Sequence, residues 1–302
     1  MINTGNRIEL RHLRYFMAVA KEKNFRKASE LLFITQPGLS RQIKQMEESL
    51  GVKLFNRTNK KVTITPAGEF LKKELVFTFN HLETTFRQLQ LINDGQDGEI
   101  RLGFVNSAMQ NLIPPLLKKM QTDFPNIHFS LKELSSSKQI EQLKSNEIDI
   151  GFVRSSTVPD RIHLKTIFKE KFAVVLPKSH VLNERSFRHV GQLAKEPFIM
   201  FSKEDSPGYY NKIMSICEQK GFTPQVSHRT VHDNTIFKLV ESGLGVAIVP
   251  NSFRHGLNLN IKFIELRNIT QEAKLSVVWE KENRNPALSK FIKLLEVEYN
   301  EK

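Results

Sequence analysis

The stretch TQPGLSRQIKQMEESLG, residues 35–51, decides the fold of the N-terminal part of the chain. Thr35 can cap a helix, Pro37 falls inside its first turn, where a missing N–H costs little, and Gly51 can end it. Apolar side chains recur at steps of three and four along this helix, which predicts a buried stripe. The stripe consists of Leu39, Ile43, Met46 and Leu50. The stretch therefore predicts an amphipathic helix with one polar face.

Two shorter helices are predicted before this one and two short strands after it. From Leu10 onward, apolar residues share one face of a first helix, and Asn24 can cap a second helix. The shared face of the first helix consists of Leu13, Phe16, Met17 and Ala20, and the second helix contains Ala28, Leu31 and Leu32. Residues 53–57 and 62–65 predict strands on either side of a polar loop. Residues 1–65 therefore predict a winged helix-turn-helix domain.

Basic residues are concentrated in this predicted domain. The 302-residue chain has a net charge of +13, and residues 1–65 hold thirteen Lys and Arg against five Asp and Glu. A local excess of positive charge suits a nucleic-acid partner, because neutralising phosphates releases counterions. A basic surface that only faces water is the alternative. The side chains on the polar face of the third helix decide between the two.

That polar face has the side chains that a recognition helix needs. Its N-terminal residues would reach base edges in the major groove, while Lys and Arg further along would hold phosphates. Arg41 is the candidate base reader, because its guanidinium matches the acceptor pair of guanine. The predicted contacts to double-stranded DNA are Thr35, Gln36, Pro37, Ser40, Arg41 and Lys44 and, from the wing, Arg57, Lys60 and Lys61.

A long helix is predicted over residues 66–92. Its apolar side chains form a narrow stripe with nearly heptad spacing, which is typical of pairing with a second copy of the chain. The stripe consists of Leu71, Leu75, Phe79, Leu82, Phe86 and Leu89. The alternative is an amphipathic helix that lies on its own domain. Residues 93–98, which hold two glycines and no apolar side chain, predict a hinge.

Residues 99–302 predict an α/β domain. Strand-like and helical segments alternate there, which implies parallel strands joined by crossover helices. The predicted strands are 99–105, 127–133, 148–153, 172–176, 198–201, 225–230, 245–249 and 274–279, and the helices are 108–121, 138–145, 209–220, 234–242 and 287–299. A region of this size predicts two subdomains, about 99–168 with 270–302 and about 169–269, with a ligand cleft between them.

Polar residues follow three of the predicted strands and would meet in that cleft, because ligands bind beyond the carboxyl ends of strands. Helix N-termini and an arginine favour a carboxylate, so the predicted effector is a small organic acid. The alternatives are simple N-capping by the serines and a structural ion pair of Arg154 with Glu133 or Asp149. The candidate effector-binding residues are Asn106, Ser107, Ser136 and Arg154.

Enzymes, metalloproteins and membrane proteins fit the sequence poorly. His228 and His232 are four residues apart, but the segment between them predicts a strand rather than a helix that would present both to a metal. A phosphate-binding glycine loop and a nucleophile elbow are both absent, so no cofactor is expected. The single cysteine, Cys217, cannot form an internal disulfide. Without a bilayer-spanning apolar run or a signal peptide, a cytoplasmic location is expected.

Seven segments together resemble the signature of LysR-type transcriptional regulators. They are LRHLRYFMAVA at 10–20, ASELL at 28–32, TQPGLSRQI at 35–43, EESLGVKLFNR at 47–57, TITPAG at 63–68, IDIGFVR at 148–154 and ESGLGVAIVP at 241–250. The resemblance covers essentially the whole chain. It implies an α/β protein overall, with an N-terminal winged helix-turn-helix, a linker helix and a two-subdomain effector domain similar to periplasmic binding proteins.

The resemblance also implies partners and an assembly. It implies a homotetramer, built as a dimer of dimers, that binds two DNA sites and alters DNA bending when effector arrives, with RNA polymerase as a further partner. The chain looks most similar to the branch that regulates aromatic-compound catabolism in response to muconate. By that resemblance Ser107, Ser136 and Arg154 match effector-contacting positions, whereas Asn106 departs from the small hydroxyl residue expected there.

A second class of protein is weighed against this one. A bare solute-binding module without regulatory output would share the predicted two-subdomain cleft. Such a module would carry an export signal and would have no basic N-terminal helix-turn-helix. The basic domain at residues 1–65 therefore favours the regulator.

Overall fold

The computed structural model of the protein describes residues 8–57, 61–94, 97–254 and 258–299. The chain forms two compact units, one that runs up to Thr85 and one that begins at Phe86. Of the predicted hinge, Gly95 and Gln96 lie outside the described residues. The two units are described one after the other.

Three short helices build the first unit. They are α1 (Leu10–Glu22), α2 (Phe25–Leu31) and α3 (Gln36–Leu50). The side chain of Asn24 caps α2 by accepting the backbone N–H groups of Arg26 and Lys27, at 2.9 and 3.1 Å. The helices pack around a core that includes Phe16, Val19, Ala28, Leu39, Ile43 and Met46. The predicted helix-turn-helix is therefore present. Its core contains Phe16, Ala20 and Ala28 from the predicted apolar positions, whereas Leu31 is 55% exposed.

A two-stranded wing and a long helix complete this unit. Strand β1 (Phe55–Arg57) pairs antiparallel with β2 (Val62–Ile64), and α4 spans Pro66–Asn93. The first strand begins two residues later than predicted, at Phe55. Close packing joins the wing to the start of α4, because a Cβ on Gly68 would lie 2.4 Å from the carbonyl oxygen of Leu54. Only glycine fits at this position.

The second unit contains a five-stranded sheet. Its strands lie in the order β4-β3-β5-β12-β6. Their bounds are β3 Gly98–Phe104, β4 Ile127–Glu133, β5 Ile150–Val153, β6 Ile162–Glu170 and β12 Ala273–Glu280. Helices α5 (Asn106–Asn111), α6 (Ile113–Asp123), α7 (Ser136–Lys144) and α10 (Pro286–Glu298) belong to the same half of the unit. A core centred on Ile100, Leu102, Phe152 and Phe291 packs this sheet against α6 and α10.

A second group of strands follows β6 in the chain. A three-stranded sheet has the order β10-β7-β11, and β8 pairs with β9 beside it. The bounds are β7 Phe172–Pro177, β8 Pro197–Phe201, β9 Gln225–Thr230, β10 Ala247–Pro250 and β11 Ile261–Glu265, with helices α8 Pro207–Glu218 and α9 Asp233–Glu241. Only Lys171 separates β6 from β7, so the chain passes from the first sheet to the second at this point.

The predicted all-parallel arrangement is wrong. Strand β3 is parallel to β4 and β5, and β8 is parallel to β9, but β12 is antiparallel to both its neighbours and β7 is antiparallel to β10 and β11. Two of the antiparallel pairs involve β6 and β11, which were not predicted, and the other two join predicted strands, β12 with β5 and β10 with β7. Strand β6 follows β5 without a crossover helix, so the two strands lie in one sheet on either side of the returning β12.

One predicted helix is also divided. Residues 108–121 predict a single helix, whereas the structure has α5 ending at Asn111 and α6 beginning at Ile113. Pro114 and Pro115 explain the break, because proline has no N–H and its ring clashes with the preceding helical turn. The first turn of α6 tolerates both prolines. The break leaves α5 as a short helix directly after β3.

Candidate DNA-binding face and effector cavity

The third helix presents the predicted DNA contacts on its outer side. Thr35 caps the helix by accepting the N–H of Gly38 at 3.3 Å, and Gly51 ends it in the left-handed region at φ 70°. Ser40 is partly buried. The exposed members of the predicted set on this helix are Thr35, Gln36, Pro37, Arg41 and Lys44. The structure therefore brings the predicted residues of α3 together on one accessible face.

The buried stripe of α3 differs from the prediction at one position. Leu50 is 41% exposed, and the buried residue on that side is Glu47, at 3%. The Glu47 carboxylate accepts the N–H groups of Leu54 and Phe55 at 2.8 and 3.0 Å, and it pairs with Arg57 at 3.1 Å. Sequence reasoning missed Glu47. The only signal was an acidic residue four positions after Ile43, on the side of the stripe.

Arg57 has a different place from the one predicted for it. Its guanidinium bonds Glu47 and Ser40 on α3 and stacks over the ring of Phe25 at 4.5 Å. A third of its side chain stays exposed. Arg57 thus fastens the wing to α3 before any contact with DNA. Lys61 is exposed, and Lys60 lies outside the described residues.

The stripe on α4 divides into two parts. Leu75 is 5% exposed, and Leu71 and Phe79 pack with it against the core of the first unit. Further along, Phe86 and Leu89 are 57% and 58% exposed, and Leu82 is partly buried. The first half of the stripe therefore lies on its own domain, as the alternative proposed, and the second half offers apolar side chains to solvent.

A cavity of about 60 Å³ lies in the second unit, where the two groups of strands meet. Its size suits about four ordered waters or a small polar molecule. Four helices begin there, because the N-cap residues of α5, α7, α8 and α9 all line it. These four residues are Val105, Ser135, Ser206 and His232. Helix N-termini carry partial positive charge, so their convergence favours an anion. The first-turn N–H groups of Lys138 in α7 and Asn234 in α9 already donate to Ser135 and Asp233, so the attraction comes mainly from the helix dipoles.

The predicted effector residues are placed unequally around this cavity. Asn106, Ser107 and Arg154 line it, and Ser107 is buried. Ser136 does not appear in its lining. Its hydroxyl instead accepts the backbone N–H of Arg154 at 3.1 Å, and the neighbouring Ser135 reaches the cavity. Ser136 therefore supports the strand end from behind.

Arg154 is held by an ion pair that sequence reasoning did not identify. Its Nη1 lies 2.7 Å from Oε1 of Glu170, and both side chains are at least nine-tenths buried. Ser107 accepts from Nε of the same guanidinium at 3.2 Å. The proposed structural partners, Glu133 and Asp149, are wrong: Asp149 pairs with Arg101 at 2.9 Å, and Glu133 faces His232 at 3.5 Å. Glu170 was missed because β6, the strand it ends, was not predicted.

Two polar groups in the cavity wall are incompletely satisfied. Asp233 is buried, and its Oδ1 accepts the Asn106 side-chain amide at 2.9 Å. Within the described part of the chain, no partner is found for Oδ2 of Asp233 or for the hydroxyl of Tyr209. Burial raises the pKa of Tyr209 well above its ordinary value, so the phenol keeps its proton at neutral pH. Neither residue was selected from the sequence, where Asp233 was indistinguishable from a helix cap.

Metal and thiol chemistry find no support in the described residues. No group of three or more His, Cys, Asp and Glu side chains there is arranged to hold a metal ion. His228 lies on β9 and His232 caps α9, so the pair does not share a helix. Burial raises the pKa of Cys217 to about 12, which leaves almost no thiolate at neutral pH. Within the described ranges, no helix is both long and apolar enough to cross a membrane.

Comparison with known proteins agrees with both halves of the structure. Residues 10–69 match the family model "Bacterial regulatory helix-turn-helix protein, lysR family", and residues 93–298 match "LysR substrate binding domain". The HTH-type transcriptional regulator AlsR of Bacillus subtilis is 34% identical, over 94% of each chain. The regulator CatR of Pseudomonas putida is 31% identical, over 95% of this chain and 98% of its own.

A solved structure supports the same fold. Full-length CbnR in complex with its target DNA superposes with a TM-score of 0.72 at 22% identity, over 96% of this chain and 99% of that one. The expectations of a two-part α/β fold and of a transcription regulator rather than an enzyme are confirmed. The chain belongs to the LysR family of DNA-binding transcription regulators, whose members join a helix-turn-helix domain to an effector-binding domain.

Proposed function

We propose that this regulator reads its operator with the exposed face of α3 and that a small carboxylate in the cavity of the second unit controls that binding. The observation that carries the effector class is the meeting of four helix N-termini at one cavity. Their N–H groups and dipoles stabilise an anion, and such an effect is strongest where water is excluded. Asn106, Ser107 and Arg154 add polar side chains to the same wall.

The role of Arg154 follows from its pairing. Its charge is already matched by Glu170, so a carboxylate would meet a neutralised pair rather than a free cation. Arg154 then contributes hydrogen-bond geometry and holds Ser107 in place, while the helix N-termini supply most of the attraction. Ser136 acts indirectly, through the backbone N–H of Arg154.

Calorimetry with the full-length protein tests the effector class. A panel of mono- and dicarboxylates is titrated beside their neutral amides, which match them in shape but lack the charge. At least one acid should bind, and its amide should bind at least tenfold more weakly. Replacement of Ser107 by Ala should lower the affinity of the protein for the acid. If only neutral compounds bind, the effector class is wrong, although the DNA-binding function would stand.

On DNA, Arg41 is proposed to read a base and Lys44 to hold a phosphate. Arg41 is exposed, and Lys44 is exposed and forms a long ion pair with Glu48, at 3.8 Å, so both can turn toward a duplex. With a fragment selected by the purified protein, Arg41→Ala should lose about 1–3 kcal/mol of specific binding and little on random DNA. Lys44→Ala should lower the affinity for the selected fragment and for random DNA by the same factor. Fluorescence anisotropy measures both, and equal losses for Arg41→Ala would remove it from base reading.

The assembly is proposed to pair α4 helices through the exposed second half of the stripe. Phe86 and Leu89 would leave large apolar surfaces in water in a monomer. Leu89→Asp should therefore dissociate the dimer, seen as a smaller sedimentation coefficient, and Gln90→Asp adds the same charge at an exposed neighbouring position as a control. An unchanged oligomer in Leu89→Asp would exclude this pairing. A dimer of such dimers would form the tetramer, and its contact with RNA polymerase would carry the effector signal.

A further inference from the structure

Asp233 is a buried acid with only one of its two carboxylate oxygens in use. Its Oδ1 accepts from the amide of Asn106 and from the backbone N–H of Asn234, both at 2.9 Å. Its Oδ2 is buried and has no hydrogen-bond partner among the described residues. The residue as a whole is 4% exposed and lines the cavity. A buried acceptor without a donor is costly, so this oxygen calls for a partner that the chain does not supply.

Tyr209 presents a second such group in the same cavity wall. Its hydroxyl is buried and has no partner in the described chain. The ring is fixed by Phe172 and Phe201, whose centroids lie 5.6 and 5.1 Å away. Because burial keeps the phenol protonated, it can donate to an acceptor or accept from a donor. Two polar groups without a partner therefore belong to residues that line a cavity which also favours an anion.

Charge in the cavity wall points to the chemistry of the missing partner. Arg154, a cation that lines the cavity, already forms an ion pair with Glu170 at 2.7 Å. Two hydrogen bonds from neutral groups and the start of α9 stabilise Asp233, but no cation is paired with it among the described residues. A plain carboxylate ligand would add a further negative charge to a wall that already contains Asp233 and Glu133, and it would leave Oδ2 of Asp233 unpaired. A ligand with a donor beside its carboxylate removes both penalties.

We propose that the effector carries an O–H or N–H donor close to its carboxylate, as a hydroxy acid or an amino acid does. Its carboxylate lies at the converging helix N-termini, and its donor bonds Oδ2 of Asp233. The hydroxyl of Tyr209 completes the contact with an oxygen of the ligand. This inference rests on the proposed carboxylate effector and specifies its class.

Matched ligand series test the inference by calorimetry with the full-length protein. Within each series the carbon skeleton stays the same and one substituent changes from hydrogen to hydroxyl to amino. In the aliphatic acids the substituent is on the carbon that carries the carboxylate, and in the benzoates it is on the neighbouring ring carbon. The series are propanoate, lactate and alanine; succinate, malate and aspartate; and benzoate with its 2-hydroxy and 2-amino forms. In at least one series the hydroxy or amino member should bind at least tenfold more tightly than the parent acid.

The variant Asp233→Asn then distinguishes the two donors. It keeps the shape and one acceptor oxygen but loses the charge. An amino ligand should lose at least tenfold in affinity, because its ammonium needs the negative charge, whereas a hydroxy ligand should lose much less. The matched control is Asp160→Asn, the same change at an exposed aspartate away from the cavity, which should leave every affinity unchanged.

Tyr209→Phe gives a second measurement that does not depend on the acid. Because the hydroxyl has no partner among the described residues, its removal should leave the midpoint of thermal unfolding unchanged or slightly higher. The affinity for the selected ligand should nevertheless fall several-fold. A fall in the unfolding midpoint with unchanged affinity would show that the hydroxyl serves the fold and would overturn its part in ligand binding.

The outcomes separate this inference from the function on which it rests. If acids bind and their hydroxy and amino forms bind no better, ordered water satisfies Asp233 and the inference is overturned while the carboxylate effector stands. If Asp233→Asn leaves every member of the selected series unchanged, the donor binds elsewhere and the inference is again overturned. If no acid binds at all, the proposed effector class fails and the inference fails with it.

Discussion

Each unit of the molecule buries an acidic side chain beside the surface proposed as its functional site, and these two acids, Glu47 and Asp233, differ in their hydrogen-bond partners. Glu47, on the buried side of α3, has both oxygens engaged, by two backbone N–H groups and by Arg57. Asp233, in the effector cavity, has one oxygen engaged and the other unpaired within the described chain. A buried acid with both oxygens engaged stabilises the folded structure, as Glu47 does. The unpaired oxygen of Asp233 is instead the atom to which we assign a hydrogen bond from the ligand.

The surroundings of the two acids differ in the same sense. Glu47 joins α3 to β1, elements that are consecutive in the chain, so the surface that it supports is complete when the unit has folded. Asp233 and Asn106 are 127 positions apart and meet across the cavity. The proposed DNA-binding face is therefore supported by contacts within one short segment, whereas the proposed effector site is assembled from distant segments of the chain.

The largest effect is expected when Glu47 is replaced by Ala. Two buried N–H groups and Arg57 would lose their acceptor, which should cost about 3–5 kcal/mol of unfolding free energy. Urea denaturation measures the loss, and operator binding should fall with it because Arg57 no longer holds the wing to α3. The control Glu48→Ala, at an exposed neighbouring position, should stay within about 0.5 kcal/mol. A small loss at Glu47 would erase the contrast with Asp233.

An intermediate effect is expected for Arg154→Met in the absence of ligand. The change leaves Glu170 buried without its cation and should cost about 3 kcal/mol in unfolding free energy. The double variant Arg154→Met, Glu170→Gln should recover part of that loss, because the unpaired charge is then gone. Additive losses in the double variant would contradict a coupled pair. The experiment shows whether Arg154 and Glu170 stabilise each other in the way that Glu47 and its partners do.

The smallest effect is expected for Asp233→Asn without ligand. Since Oδ2 has no partner in the part of the chain that the structure describes, removing the charge breaks no ion pair seen there, and Asn can still accept from Asn106 and Asn234. The unfolding free energy should change by less than about 1 kcal/mol, measured by the same urea denaturation. A loss as large as that of Glu47→Ala would mean that Asp233 is structural, and the comparison between the two acids would fail.

How far the sequence could predict the molecule depends on how local each feature is. The cap, stripe and end of α3 all lie within residues 35–51, and the prediction of that helix and of its exposed face agrees with the structure. Glu47 was missed because its partners lie on the wing, and Leu50 was assigned its place in the core. Periodicity cannot show which side of a helix will meet a hydrogen-bonding partner.

The cavity was harder to predict for the same reason. The strand ends that carry Ser107 and Arg154 were located, but Glu170 and Tyr209 come from segments whose position depends on how two sheets meet. Strand β6 was not predicted, so the true partner of Arg154 was out of reach. Sequence patterns place residues on elements, and only the packed structure shows which buried polar atoms remain without a partner.

The burial of Cys217 makes the rate of thiol labelling a measure of local unfolding in one half of the second unit. The thiol lies in the core of the half that contains β7, β8 and α8, with its pKa raised to about 12, so a thiol reagent cannot modify it while that core is closed. Modification at pH 8 therefore requires opening of this half, and the labelling rate counts those openings. Because Cys217 is the single cysteine in the sequence, the signal comes from one site and needs no engineered probe. An effector that stabilises the closed form of this half should lower the labelling rate of Cys217.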